Sequence, residues 1–63
     1  MKFRICWELA VLRGWRHKFY HGVEIISANS LQGAIEKVRL IICKRYRVDP
    51  YNPKTYNFRW TQC

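Results

Sequence analysis

The sequence predicts an α+β domain of order ββαβ: a three-stranded antiparallel or mixed sheet in the order 2-1-3, with one helix packed on one face. Three observations predict it. Apolar residues alternate from Phe3 to Val11, the rhythm switches to the helical repeat after Asn29-Ser30, and alternation returns between Tyr56 and Trp60. Residues 1–63 read as a single small domain. Folding a chain of this size hides only about 60% of its surface, so the expected core is thin and leaves no room for a deep cleft between lobes.

The first strand is expected from about Lys2 to Leu12. Phe3, Ile5, Trp7, Leu9 and Val11 fall on one face, and Lys2, Arg4, Cys6, Glu8 and Ala10 on the other. The second strand should begin near Arg16 and run antiparallel. A two-residue loop at Gly14-Trp15 would set Ile5 against Glu24 and Leu9 against Tyr20. A three-residue loop, Arg13-Gly14-Trp15, sets Phe3 against Ile25, Ile5 against Val23 and Leu9 against Phe19. The longer loop also places Arg4 opposite Glu24, a cross-strand pair worth a few tenths to ~1 kcal/mol, and Gly14 can take its left-handed position. The expected register is therefore that of the three-residue loop.

Val23 and Ile25 alternate with Glu24 up to the break. Asn29 or Ser30 then supplies the side chain that caps a helix start. The helix is expected from about Ser30 to Tyr46. Leu31, Ala34, Ile35, Val38, Ile41 and Ile42 form its apolar stripe, and Lys44, Arg45 and Arg47 sit at its C-terminal end, where cations suit the dipole. Arg45 would point back toward the stripe, so regular helix is expected to stop near Lys44. Asp49-Pro50-Tyr51-Asn52-Pro53-Lys54 reads as a turn-rich connection. Thr55 to Gln62 reads as a third strand, with Tyr56, Phe58 and Trp60 closing the core. A strand–helix–strand crossover wants parallel partners, which strands two and three satisfy while both flank strand one. The helix then covers one sheet face, and the other is open to solvent.

The stretch from Val23 to Val38, with Ser27-Ala28-Asn29-Ser30 leading into Ala34-Ile35-Glu36-Lys37-Val38, resembles a strand-to-helix motif of small phage and mobile-element proteins, the DpnD/PcfM-like group among them. Gly33 departs from that pattern, in which Glu is usual. The resemblance implies a small accessory protein of phage or bacterial origin, and no functional residue is carried over from it.

Composition narrows the partners. Twelve Lys and Arg against four Asp and Glu give a formal charge of +8, which attracts nucleic acid, an acidic protein surface or anionic lipid. The three cysteines, Cys6, Cys43 and Cys63, have no paired spacing. No disulfide framework is expected, Cys63 reads as a bystander, and the default setting is reducing and cytoplasmic. The N-terminus is too interrupted by charge for a signal peptide or a membrane span, and no membrane partner is expected.

The first candidate interface is the hairpin tip, Arg13-Gly14-Trp15-Arg16-His17-Lys18-Phe19-Tyr20-His21, which gathers three cations, two histidines and three aromatics within nine residues. Cations on a projecting loop neutralise phosphates, and a tip aromatic stacks on a base. The alternative is a solvated turn with Trp15 folded onto the core edge. The expected register adds an open sheet face bearing Lys2, Arg4, Arg16, Lys18, Tyr20, Arg59 and Thr61. Such a face differs from aromatic RNA-binding sheets, because most aromatics are expected to point inward. On the helix, Lys37, Arg39, Lys44 and Arg47 suit a solvated face. Leu40 and Cys43, nearly opposite the packing stripe, suit a contact with a partner or a second copy.

His17 and His21 lie ~13 Å apart along a strand, too far to share a zinc ion, and His21 is expected on the core side. No metal or cofactor is expected. Glu8, Glu24, Glu36 and Asp49 are scattered over different elements, and no phosphate loop or nucleophile motif is present. The chain is accordingly read as a non-enzyme that binds DNA or RNA as a monomer or weak dimer. The alternative is a phage-encoded inhibitor docking on an acidic host protein.

Overall fold

The computed structural model describes residues 1–63. It contains β1 (Lys2–Arg13), β2 (Arg16–Ser27), α1 (Leu31–Arg45) and β3 (Tyr56–Gln62). The sheet has the order β2-β1-β3, and β1 pairs antiparallel with both neighbours. Helix α1 lies over β1 and β2 on one face. The predicted ββαβ architecture is the one found.

The core follows from the alternation in β1. Phe3, Ile5, Trp7, Leu9 and Val11 are all buried, against Ala34, Ile35, Val38 and Ile42 of the helix. Ser30 caps α1, its side chain accepting from the Gly33 N–H at 3.1 Å. At the other end the Val48 N–H donates to the Cys43 carbonyl at 2.8 Å and the Arg47 N–H to the Lys44 carbonyl at 3.3 Å. This is a Schellman closure, in which Val48 packs beside Cys43 and Arg47 takes the left-handed position that glycine usually fills, at φ +58°.

The register differs from the expected one. Arg13 pairs with Arg16 across a two-residue loop, so Ile5 faces Glu24, Trp7 faces Gly22 and Leu9 faces Tyr20. Two local features select it. Gly14 has φ +63° and Trp15 does not share that sign, the pattern of a type II′ turn, which matches strand twist. Gly22 also supplies a flat site for the Trp7 indole: a Cβ there would lie 2.8 Å from the ring. A one-residue change of register turns every β2 side chain to the opposite face. The Arg4–Glu24 pair therefore does not form, and Glu24 instead accepts from Arg45 at 3.0 Å.

The helix stripe is also rotated from expectation. Cys43 is fully buried, whereas Ile41 is 40% exposed, because the 46–55 connection folds over the Cys43 side of α1 and brings Val48 and Tyr56 against it. Helix α1 continues through Arg45, whose guanidinium reaches Glu24 at the edge of the stripe. Arg39, expected on a solvated face, is a clamp: it donates to the Pro50 carbonyl (2.8 Å), the Tyr56 hydroxyl (3.0 Å) and Glu36 (2.6 Å). Those bonds, Glu36 first and then Tyr56, hold its proton above the ordinary arginine range.

The absence of a disulfide is overturned too. Cys6 and Cys63 are bonded, with Cα atoms 5.9 Å apart and 57 residues of separation. Antiparallel pairing of β3 carries Cys63 past Arg4, whose carbonyl accepts from the Cys63 N–H at 3.0 Å. That brings its sulfur onto the open face beside Cys6. Cys43 is the free thiol, and burial raises its pKa. No helix is long and apolar enough to cross a membrane.

Candidate functional site

The long axis of the molecule, 39 Å, is set by the twelve-residue strands of the hairpin, since a strand rises about 3.3 Å per residue. Helix α1, at fifteen residues, spans only about 22 Å. The hairpin tip therefore projects past the C-terminal end of the helix. Trp15 at its apex is 85% exposed and does not fold onto the core. The Arg16 guanidinium lies 5.0 Å from the centre of its ring, a cation–π contact that holds both side chains out in solvent.

The tip cations are gathered on one side. Arg13, Arg16 and Lys18 share the helix-side parity of Val11: Lys18 is its ladder partner, Arg13 lies two residues on in β1, and Arg16 pairs with Arg13; all three are exposed. Arg13 reaches the Tyr46 carbonyl at 3.4 Å. Arg47 lines the same groove as Arg13, together with Asp49 and Thr55. Four cations thus meet at the projecting end of the molecule. Arg47 joins them only because of the left-handed helix closure, and no spacing in the sequence signals that placement. The one acid nearby, Asp49, has its carboxylate engaged by the Tyr51 N–H at 2.9 Å.

The open sheet face has a different character from the expected basic surface. Lys2, Arg4, Arg59 and Thr61 are on it, as their positions in β1 and β3 require. Arg16, Lys18 and Tyr20 are not, and Tyr20 instead stacks on Tyr46 with ring centres 4.0 Å apart. In their place the face carries His17, Phe19, His21, Val23 and Ile25. Phe19 is 75% exposed, Ile25 68% and Val23 49%. His21, expected on the core side, lies in a cross-strand row with Glu8 and Arg59. Cys6, Glu8, His21, Val23, Arg59 and Thr61 frame a shallow hollow there.

These residues form two adjoining surfaces, a cationic end and a mixed aromatic and apolar sheet face. They share the exposed hairpin between them. The proposed pairing of Leu40 with Cys43 is lost, because Cys43 is in the core; Leu40, 38% exposed, neighbours Ile41 instead. Of the four acids, Glu24 and Glu36 are bound to Arg45 and Arg39. Glu8 on the open face and Asp49 in the connection hold no ion pair within 4 Å. The signal that could have located the open-face aromatics was Gly22, a glycine inside a strand opposite a tryptophan. Comparison of the chain with family models, with curated proteins and with solved structures finds no match.

Proposed function

We propose that this chain is a small accessory protein that binds DNA or RNA, with Arg13, Arg16, Lys18 and Arg47 neutralising phosphates and Trp15 stacking on a base. The observation that carries the reading is the cross-strand pair Arg13–Arg16 at the end of the hairpin. Like charges opposite one another destabilise a sheet, and here Lys18 and Arg47 add to them. A phosphate backbone supplies the counter-charge for such a cluster, and an exposed indole beside it supplies a stacking surface. Arg4 and Arg59 on the open face extend the basic track. A phage or mobile-element origin accords with the Val23–Val38 resemblance. In the cytoplasm, where this role is exercised, reducing thiols would open the Cys6–Cys63 bridge, leaving β3 held by its ladder to β1.

The test is fluorescence anisotropy with labelled 20-nucleotide single strands and duplexes between 50 and 200 mM salt. Affinity should fall linearly on a logarithmic scale, with a slope of about −0.7 to −0.9 per phosphate contacted. A variant with Arg13, Arg16 and Lys18 changed to Ala should flatten that slope by roughly two to three such contacts. Absence of binding to every probe at micromolar protein and 50 mM salt refutes the reading.

The stripe of Phe19, Val23 and Ile25 favours a second reading, a modulator that docks on an acidic host protein. Charged residues would steer the encounter and the apolar stripe would anchor it. Recovery of one stoichiometric acidic protein from bacterial extract, unchanged by nuclease, would favour this reading over the first.

A further inference from the structure

Resting on the nucleic-acid reading above, we infer that the open face of β2 is a platform for unpaired bases, so that the protein selects single-stranded over duplex nucleic acid. His17, Phe19 and His21 are consecutive open-face positions of one strand. Such positions are about 6.6–6.8 Å apart along the strand, twice the 3.4 Å rise of stacked bases. That is the spacing that one base placed between successive rings requires. Phe19 stands clear of its surroundings at 75% exposure, because its ladder partner is Ala10, whose side chain leaves the ring unobstructed. No core contact accounts for a phenylalanine at this position.

The neighbouring strands supply the backbone contacts. Arg4 and Arg59 share the face with these rings, Arg59 lying in the row that contains His21. Glu8, between His21 and Arg59, is the one carboxylate on the face and directs the strand of phosphates to either side of that point. Bases inside a duplex have their π faces covered by stacking, so only unpaired bases can use such rings. The basic hairpin end, by contrast, contacts phosphates and takes either form. Discrimination therefore belongs to the sheet face, and general affinity to the tip.

The experiment compares dT20 with a 20-base-pair duplex by anisotropy at 100 mM salt, for the wild type, Phe19→Ala and Phe19→Tyr. Phe19 is largely exposed, so both variants should keep the wild-type circular dichroism and melting temperature. Removing one stacking ring should weaken dT20 binding about tenfold or more, leave the duplex unchanged, and be restored by Tyr. Equal affinity of the wild type for both probes overturns the inference while the proposed function stands. So does a Phe19→Ala loss that is the same for both. Failure of the wild type to bind either probe at 50 mM salt removes the proposed function, and the platform with it.

Discussion

Replacing Gly22 by Ala tests the strand register and, with it, the composition of the open face. In this fold the new Cβ would lie 2.8 Å from Cζ2 and 3.0 Å from Cε2 of Trp7, whereas carbon atoms rest comfortably at about 3.5–4.0 Å. The indole has little room to withdraw. It is 3% exposed, and Tyr46 packs against it with ring centres 6.1 Å apart. Its Nε1 is buried without an acceptor, so packing alone holds the ring in place. Overpacking of this kind costs about 1–3 kcal/mol, against which relief of glycine's backbone entropy returns about 0.5–1 kcal/mol. The expected net loss is about 1–2 kcal/mol, which for a domain of this size lowers Tm by roughly 4–16 °C. The three-residue register would put Gly22 opposite Cys6 on the open face, where Ala should raise stability by the entropic amount. The sign of the change in urea or thermal unfolding therefore decides between the registers. Coupling strengthens the test: in a Trp7→Phe background the penalty of Gly22→Ala should shrink by about 1 kcal/mol. A stabilised Gly22→Ala protein, or an uncoupled pair, would refute both the Trp7–Gly22 contact and the outward placement of Phe19.

Further predictions concern the C-terminal end of the helix and the staple. Arg47→Gly should raise stability by about 0.5–1 kcal/mol, because glycine takes the left-handed C′ position without the penalty of a side chain; it should also weaken nucleic-acid binding, and a destabilised variant would contradict the closure. After oxidation in air, thiol titration in denaturant without reductant should find one reactive group per chain, Cys43, and a count of three in that oxidised sample would refute the bridge. In the folded oxidised protein that thiol should react slowly, since it is buried and its pKa is raised. Loss of the Cys6–Cys63 bridge in Cys63→Ser should cost about 4 kcal/mol for a loop of 57 residues. Reductant should bring the wild type down toward the variant.

The local patterns of the chain were enough to determine its elements and their order. Alternation from Phe3 to Val11 made β1 the centre of the core, the Asn29-Ser30 break marked the start of α1, where the fold uses Ser30 as the cap, and the aromatic alternation after Thr55 marked β3. Each is signalled by a local pattern, side-chain periodicity or a capping residue, whichever distant residues complete the packing. The tip residues Arg13, Trp15, Arg16, His17 and Lys18 were legible for the same reason, since a loop apex stays exposed whatever the register. Which face of β2 meets solvent was a tertiary decision. Scoring apolar residues against apolar residues favoured the wrong loop, because what selects the register is one close packing event, the Trp7 ring lying on Gly22, together with a turn that needs positive φ only at Gly14. The burial of Cys43, the clamp made by Arg39 and the bond between Cys6 and Cys63 join positions far apart in the chain. No periodic signal carries them, because they exist only once the 46–55 connection and β3 have closed over the helix and the central strand.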